Sequence, residues 1–354
     1  MTAIPTRPEH ITAEWLTEFL AVRHPGVVVE TIDVLACTQG AATRLRVKPT
    51  YAPGCDHGLP PVLFIKTSLT RRMLVADPHM YVTEVMFYEQ IHPHVQCETP
   101  KVYAWAVDEE TSRFAVVIED LTLRDAVFPT ALSGLTADDV APLMSNLAKL
   151  HAPHWGRHDL EHAYPWLETS TTGRSSEWWR DGAREVALFE LQQPYKLAAL
   201  QPDHHPLDRV LAALGRLQTD NDAEPRTVVH GDTHIGNCYL LPDGGGGVLD
   251  WQLMRIGNWG NDVGYTLMTA LDVEERRKGE EDLLRLYLDE LRALGADPPG
   301  WDEAWTHYRK QMVWGIIAWM VTPTAMYSEP LLDALIRRCV AATDDLDTFA
   351  LLGV

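Results

Sequence analysis

The sequence predicts an α+β protein of two lobes, with a small β-rich lobe over residues 1–120 and a larger, mainly helical lobe over residues 121–354. Apolar runs typical of strands concentrate in the first third of the chain, and helical periodicity dominates after residue 121. The length of 354 residues exceeds the size at which a single hydrophobic core stops growing. Two cores are therefore expected, with their boundary near residue 121.

The β-rich lobe is predicted to begin with a hairpin. Val27–Leu35 and Arg44–Lys48 alternate in polarity as paired strands do, and residues 37–43 are expected to turn between them. Gly40 lies in this turn, where a glycine lets backbone N–H groups approach a phosphate closely. A single glycine is equally compatible with a plain hairpin, and its place before Lys66 favours the phosphate-contacting alternative.

A strand, a helix and a second strand follow. Pro60–Thr67 is an apolar, β-rich run with Lys66 near its end, and Tyr81–Ile91 has the composition of a helix. Arg113–Leu121 is another apolar strand, and it breaks into acidic residues at its end.

Two long helical patterns mark the second lobe. Thr136–Ala152 begins with an N-cap threonine and acidic residues in the first turn, followed by apolar residues at helical spacing. Trp301–Met320 carries an apolar stripe at the same spacing. Such a stripe is more often part of a hydrophobic core than the wall of a ligand pocket.

Two loops of the second lobe carry the strongest chemical signal. The apolar run Thr227–Val229 ends at His230-Gly-Asp232, and Asn237 follows five residues after Asp232. A second apolar run, Gly247–Leu249, ends at Asp250. Each run is typical of a strand that delivers polar side chains at its end.

These residue types at this spacing favour phosphoryl transfer. Kinase-type chemistry uses one Asp to orient the attacking hydroxyl and accept its proton, an Asn five residues later to help hold a metal, and a second Asp to bind Mg²⁺. We therefore predict Asp232 as the base and Asn237 and Asp250 as metal ligands. A lone His-Gly-Asp is usually an ordinary turn, but the full set with its flanking strands is hard to obtain by chance.

The same residues carry a resemblance to a known group of enzymes. The segment 228–265 is similar to the aminoglycoside phosphotransferase and choline kinase superfamily, whose signature is His-Gly-Asp-x-x-x-x-Asn followed by a strand-borne Asp. His230–Asn237 with Leu249–Gln252 more narrowly resembles the ecdysteroid-kinase-like and choline-kinase-like branch. The resemblance implies a two-lobed, protein-kinase-like fold, the use of ATP and Mg²⁺, and a small-molecule acceptor.

The resemblance also implies roles in the first lobe. It requires a strand-borne Lys that contacts the phosphates and a helix Glu that positions this Lys, and these match Lys66 and Glu84, with Glu89 a second candidate on the helix. It further places a hinge at the end of the strand Arg113–Leu121, where backbone groups would bind the nucleobase. The side chains there do not choose between ATP and GTP. The hinge residues with this expected contact are Val117, Ile118, Glu119 and Asp120.

Two further residues are expected to support the catalytic loop. In the family, an Asp at the position of Asp262 holds this loop by hydrogen bonds, and a simple helix N-cap is the alternative. His230 is expected to brace the loop.

The predicted activity is transfer of the ATP γ-phosphoryl group to a hydroxyl of a small molecule. One alternative is a hydroxyacyl-thioester kinase, which a basic groove near the acceptor would favour. Another is a non-catalytic, nucleotide-binding regulator of kinase-like fold, although such proteins usually lack one of the Lys, Asp or Asn positions. A protein kinase is disfavoured, because His-Arg-Asp is replaced by His230-Gly-Asp232, Asp-Phe-Gly by Asp250-Trp-Gln252, and no Ala-Pro-Glu segment follows.

Composition limits the partners and the compartment. The net charge of −20 argues against nucleic acid as a partner, since phosphate backbones require clustered Lys and Arg. The five cysteines form no Cys-x-x-Cys pair, which fits reduced thiols in the cytoplasm. The longest uncharged apolar run, Met312–Val321, is too short to span a bilayer, so no membrane partner is expected.

The chain is rich in tryptophan where the acceptor is expected to bind. If two of these rings face the acceptor, they offer a flat wall for a hydrophobic alcohol or a cation–π face for an amine. A large polar aminoglycoside is less expected, because it would require a dense array of acidic side chains. The tryptophans are Trp178, Trp179, Trp301, Trp305, Trp314 and Trp319.

Overall fold

The chain divides into two compact units in the computed structural model, which describes residues 3–69, 77–108, 110–223 and 225–354. The first unit comprises Met1–His94 and Thr99–Ala126. The second comprises Val127–Val354 and takes in the short segment Val95–Glu98.

The first unit is built on a five-stranded antiparallel sheet with the strand order β1-β2-β3-β5-β4. Helix α1 (Ala13–Ala21) packs against β1 and β4, and helix α2 (His79–Met86) packs against β4 and β5 before it continues into one π-helical turn, Phe87–Ile91. The strands are β1 (Val29–Gln39), β2 (Thr43–Tyr51), β3 (Leu63–Thr67), β4 (Val102–Asp108) and β5 (Arg113–Glu119).

The alternation of buried and exposed side chains along the strands builds the core of this unit. Leu45 and Val47 of β2 and Ile65 of β3 are buried, and they belong to one apolar cluster with Trp15 and Phe19 of α1. Successive side chains of a strand point to opposite faces of the sheet, so this pattern places one face of the sheet against α1.

The second unit is mainly helical, with two small sheets. One sheet has the order β6-β10-β7, and the other is the β8–β9 hairpin. The short strands are β6 (Glu168–Thr169), β7 (Arg226–Val229), β8 (Cys238–Leu240), β9 (Gly246–Val248) and β10 (Arg255–Asn258). The helices are α3 (Ala137–His151), α4 (Leu160–Ala163), α5 (Arg174–Glu177), α6 (Ala183–Glu190), α7 (Pro194–Leu200), α8 (Leu207–Asn221), α9 (Gly260–Ala270), α10 (Val273–Ala293), α11 (Trp301–Lys310), α12 (Met312–Val321), α13 (Glu329–Asp345) and α14 (Thr348–Leu351).

Helix α3 begins where its sequence predicts. Thr136 is the N-cap, and its hydroxyl accepts from the Asp139 N–H while the Asp139 carboxylate accepts from the Thr136 N–H at 2.8 Å. This reciprocal capping box satisfies two backbone donors that a helix start leaves without intrahelical partners. The prediction of this helix and of its N-cap is confirmed.

Two other predicted segments have different bounds in the structure. The single stripe expected over Trp301–Met320 belongs to two helices, α11 and α12, which meet at Gln311. Apolar spacing alone does not reveal such a break, because both helices bury residues on the same stripe. The turn expected over residues 37–43 is shorter, because β1 continues to Gln39 and β2 begins at Thr43.

Among the described residues, the structure contains no helix with the length and apolar character needed to cross a bilayer.

Candidate active site

Strand pairing brings the two predicted loops of the second unit together. β7 delivers His230 and Asp232, and a short 3₁₀ turn, Ile235–Asn237, leads from that loop into β8. β8 pairs with β9, and the Leu249 N–H donates to the Asn237 carbonyl oxygen at 2.9 Å. Asp250 therefore follows directly after a residue that is bonded to Asn237.

Asp232 and Asn237 are in direct contact. The Asn237 side-chain N–H₂ donates to the Asp232 carbonyl oxygen at 2.9 Å and to Asp232 Oδ2 at 3.0 Å. Asn237 is buried, whereas 26% of the Asp232 side chain remains exposed. The amide thus holds the carboxylate in one orientation and leaves part of it accessible.

The environment of Asp232 suits a proton acceptor. Burial raises the pKa of its carboxyl group, and the charge of Asp250 raises it further, against the opposing effects of His234, His230 and Asn237. A base with a raised pKa accepts a proton more readily than an ordinary carboxylate does.

Asp250 has an unusual backbone conformation, with φ 73° and ψ 72° in the left-handed region. This conformation costs free energy for a residue with a Cβ atom, although Asp tolerates it better than most residues. Its side chain is half-buried at the end of β9. Conformations of this kind cluster at functional sites.

The donor set fits Mg²⁺. The nitrogen of the Asn237 amide is committed to Asp232, so its Oδ1 is the atom left for a cation, and Asp250 offers a carboxylate. Mg²⁺ takes oxygen ligands and is usually held by one or two protein side chains, with water and substrate phosphates completing its coordination. Within the described part of the chain, no group of three or more His, Cys, Asp or Glu side chains is arranged to hold a metal.

His230 connects the two loops. Its Nδ1 accepts from the Asp232 N–H at 3.2 Å, so its Nε2 carries the proton and donates to the Leu249 carbonyl oxygen at 3.1 Å. Burial lowers the pKa of His230, which is consistent with this neutral tautomer. The ring also packs on Trp251, with centroids 4.6 Å apart.

Asp262 of helix α9 holds the beginning of the loop that carries Asp232, as the resemblance implied. Its carboxylate accepts from the His230 N–H at 2.6 Å and from the Gly231 N–H at 2.8 Å. The N-cap alternative is wrong, since α9 begins at Gly260 and Asp262 lies inside it. Gly231 has a φ of +82°, and a Cβ there would lie 2.2 Å from the Leu253 carbonyl oxygen, so the loop requires glycine.

His151 has a role that was not predicted from the sequence. His151 Nε2 donates to Asp262 at 3.1 Å, and its Nδ1 lies 2.7 Å from the Tyr287 hydroxyl. Burial alone would raise the pKa of Asp262, but the hydrogen bond and charge of His151, followed by His230 and the Gly231 N–H, outweigh burial and hold this pKa below its ordinary value. The Leu150-His-Ala152 sequence at the end of α3 is the feature from which a role for His151 could have been inferred.

In the first unit, Lys66 and Glu84 form a buried ion pair. The Lys66 ammonium lies 3.0 Å from Glu84 Oε1 and 2.8 Å from Oε2, and the two side chains are 6% and 2% exposed. Lys66 stands on β3 opposite Arg44 of β2 and Val116 of β5. The structure therefore brings together the Lys and the Glu that were expected to act as a pair, and Glu84 rather than Glu89 is the partner.

The turn with Gly40 has ordinary geometry. The Gly40 N–H donates to the Ala42 carbonyl oxygen at 3.1 Å, and the φ of Gly40 is not in the left-handed region. Its contact with a phosphate stays a prediction.

The expected hinge segment spans the end of β5. Val117 and Ile118 lie within β5, which pairs with β3 on one side and with β4 on the other. The Glu119 N–H donates to the Lys101 carbonyl oxygen at 2.8 Å, and the Asp120 carboxylate accepts from Arg46 and from the Thr122 N–H. The contact of this segment with a nucleobase stays a prediction.

An aromatic cluster beside Asp232 was only partly anticipated. The centroid of the His234 ring lies 5.0 Å from that of Trp319 and 6.0 Å from that of Tyr265, and the Tyr327 ring lies 5.7 Å from Trp319. Trp319 belongs to the tryptophan-rich helix α12, but no spacing rule connects it to a loop 85 residues earlier in the chain. Tertiary packing alone makes this contact.

Arg255 is a second residue whose role was not predicted from the sequence. Its guanidinium donates to the Gly231 carbonyl oxygen at 3.1 Å and lies 4.9 Å from the centroid of the Trp314 ring. It places a positive charge beside the aromatic residues of the second unit.

Comparison with known proteins matches most of the chain to one kinase-like family. Residues 45–296 match the model of the ecdysteroid kinase-like family. A search of curated proteins found no match.

Two solved structures share the fold. One, from Ralstonia eutropha, is provisionally described as an aminoglycoside phosphotransferase; it is 14% identical with a TM-score of 0.55, over 95% of this chain and 97% of that one. The other is spectinomycin phosphotransferase in complex with ADP and spectinomycin, 12% identical with a TM-score of 0.53, over 97% of this chain and 100% of that one. These likenesses confirm the predicted α+β, protein-kinase-like fold.

Proposed function

The chain belongs to the ecdysteroid kinase-like family, and from this we propose that it is a small-molecule kinase that transfers the γ-phosphoryl group of ATP to a hydroxyl group of its acceptor. The observation that carries the proposal is the geometry of Asp232. Its carboxylate is oriented by Asn237, is partly exposed and has a raised pKa. These are the properties of a group that takes a proton from an incoming hydroxyl.

The reaction is a direct, in-line transfer. The hydroxyl oxygen of the acceptor forms a bond to the γ-phosphorus as the bond from that phosphorus to the bridging oxygen of ADP breaks, and Asp232 takes the hydroxyl proton. Catalysis of this kind depends mainly on positioning and on stabilising charge. His230 and Asp262 serve the positioning, because they fix the backbone on both sides of Gly231.

The remaining roles concern the nucleotide. Asn237 Oδ1 and Asp250 would hold Mg²⁺, which when bound neutralises negative charge on the β- and γ-phosphates. Lys66 would contact the α/β-phosphates, and Glu84 keeps the Lys66 ammonium in place through the buried ion pair.

The surroundings of Asp232 favour an uncharged, largely apolar alcohol as the acceptor. Trp319 and Tyr265 pack beside the His234 ring and are buried, so the region next to Asp232 is largely apolar, and the Arg255 guanidinium offsets part of the negative charge of Asp232 and Asp262. A polycationic aminoglycoside would instead require several carboxylates.

The free thiols of all five cysteines support the reducing cytoplasm as the compartment of the protein.

The decisive experiment is detection of ADP and phosphorylated product by mass spectrometry. The purified protein would receive Mg-ATP and a panel of steroid alcohols, macrolides, choline-like amines, aminoglycosides and hydroxyacyl thioesters. We expect a product heavier by one phosphate from an uncharged alcohol.

Variants connect this product to the site. We expect Asp232→Ala to lower kcat by about 10³-fold, within the range for loss of a general base, while nucleotide affinity changes little. Asp250→Ala should instead weaken Mg-dependent nucleotide binding by at least about tenfold. Asp243→Ala is the matched control, because Asp243 is exposed in the β8–β9 turn. Wild-type activity in both site variants, or no nucleotide binding at all, would contradict the proposal.

A further inference from the structure

His234 lies two residues after the proposed base and has no role in the mechanism described above. Its side chain is 8% exposed, and its Nε2 lies 3.9 Å from Asp232 Oδ2. A role for this nitrogen in binding the acceptor rests on the proposed kinase function and deepens it.

The loop backbone settles which nitrogen carries the proton. The Gly236 N–H donates to His234 Nδ1 at 3.1 Å, and a backbone N–H can only be a donor. Nδ1 is therefore an acceptor without a proton, and the neutral ring carries its proton on Nε2. The side of the imidazole that faces Asp232 is thus a hydrogen-bond donor.

The distance from Nε2 to Asp232 has a specific consequence. At 3.9 Å the two atoms are too far apart for a direct hydrogen bond. The distance allows one oxygen atom to lie about 2.8 Å from each of them, with an angle of about 90° at that oxygen. One oxygen can therefore contact the donor of His234 and the carboxylate of Asp232 together.

The ring is held in this orientation from several sides. It stands edge-on to Trp319, with an interplanar angle of 81°, and edge-on to Tyr265, with an angle of 65°. A Cβ on Gly236 would lie 2.8 Å from the His234 ring, so glycine at this position gives the ring its space. A donor fixed in this way is pre-organised and does not have to be ordered by the substrate.

We propose that His234 is an acceptor-binding residue whose Nε2–H donates to the oxygen of the attacking hydroxyl group. The hydroxyl accepts from His234 and donates its own hydrogen to Asp232, so its orientation is set by two contacts. During transfer the oxygen forms its bond to phosphorus, Asp232 takes the proton, ADP leaves, and the His234 N–H remains where it was.

A purely structural role for His234 makes the opposite prediction. If the residue only accepts the Gly236 N–H to hold the 3₁₀ turn, then the Nδ1 position matters and the Nε2 position does not. Two side chains separate these positions. Asn places its amide oxygen near the site of Nδ1 and lacks the distal donor, whereas Gln carries an amide N–H₂ near the site of Nε2.

The test compares His234→Asn with His234→Gln in two assays. One assay is phosphorylation of the acceptor, and the other is slow hydrolysis of Mg-ATP, in which water takes the place of the acceptor hydroxyl. We expect His234→Asn to lower kcat/KM for the acceptor, and the rate of hydrolysis, by at least about tenfold, with the KM for ATP within about twofold of wild type. His234→Gln should retain more activity than His234→Asn in both assays.

Controls keep the outcomes distinct. Asp232→Ala reports whether turnover depends on the proposed base, and the same two substitutions at His204, an exposed histidine of the second unit, report nonspecific effects. If wild type turns over nucleotide and Asp232→Ala does not, but His234→Asn equals wild type or exceeds His234→Gln, the role of His234 is overturned while the kinase function stands. If neither wild type nor any variant consumes Mg-ATP, both are overturned.

Discussion

At the residue scale, the hydrogen bonds that each site residue already makes determine which of its polar atoms remain for a ligand. Asn237 gives its nitrogen to Asp232 and keeps its oxygen, and His230 gives one nitrogen to each of two loops. The proposed roles of base, metal ligand and brace rest on these hydrogen bonds as well as on residue type.

The ion pair of Lys66 and Glu84 also bears on stability. Both side chains are buried, and removal of one partner leaves an uncompensated charge in a poorly solvated place.

We therefore expect Lys66→Met to cost about 3 kcal/mol of unfolding free energy and to reduce turnover sharply. Lys48→Met, at an exposed position on the neighbouring strand β2, should cost less than about 0.5 kcal/mol and leave turnover unchanged. Urea unfolding and the kinase assay measure both effects. Equal stability of the two variants would show that the buried pair contributes nothing.

At the scale of elements, helix α9 supports the loop that carries Asp232 and Asn237. Every residue of this helix is buried, and three of its side chains form hydrogen bonds with the loop. Asp262 accepts from the start of the loop, Thr266 donates to the Thr233 carbonyl oxygen at 3.1 Å, and Thr269 accepts from the Ile235 N–H at 3.0 Å. The loop is thus held along its length by one rigid helix.

Replacement of Asp262 by Asn should destabilise the protein in a pH-dependent way. The pKa of Asp262 is lower in the folded protein than its ordinary value of 3.8, so its contribution to stability is present above that value and is lost as pH falls through the folded-state pKa. At pH 7 we expect a loss of about 3 kcal/mol, because the amide cannot accept from both backbone N–H groups.

The difference between wild type and Asp262→Asn should therefore shrink as pH falls below about 4, because the unfolded wild-type chain then binds a proton at this carboxyl group while the folded protein still keeps it ionised. Chemical unfolding between pH 3 and pH 7 measures it. Asp243→Asn, an exposed position, serves as the control and should show no such trend. A difference that stays constant over this range would mean that the charge of Asp262 is not what holds the loop.

At the scale of the whole molecule, the proposed machinery is divided between the two units. The first contains Lys66 and Glu84, and the second contains Asp232, Asn237 and Asp250. A nucleotide bound only by the folded protein stabilises it by mass action.

Mg-ATP at 100 times its Kd should stabilise the protein by about 2.7 kcal/mol. Differential scanning fluorimetry would record this as a rise in Tm. The rise in Tm should be smaller than this when EDTA removes the metal from the wild-type protein. It should also be smaller in Asp250→Ala with Mg²⁺ present. An equal rise with and without metal would argue against Asn237 and Asp250 as metal ligands.

Local patterns were sufficient for helix α3, for the strands beside the site and for the two loops at its centre. The spacing of Asp232 and Asn237 is a property of one short loop, and the apolar runs beside it predict the strands that hold it. The capping box of α3 is equally local. Groups that lie within a few residues of each other keep their relation in almost any surrounding structure, so the sequence predicts them well.

Contacts between segments that are distant in the chain could not be predicted from local sequence patterns. The support of Gly231 by Asp262 spans 31 residues, and the packing of His234 on Trp319 spans 85. The tautomers of His230 and His234 depend on which backbone N–H reaches each ring, and the break at Gln311 depends on what α11 and α12 pack against. Composition and periodicity carry the identity of the chemistry, whereas the positions of its atoms arise from packing of side chains that are far apart in the chain.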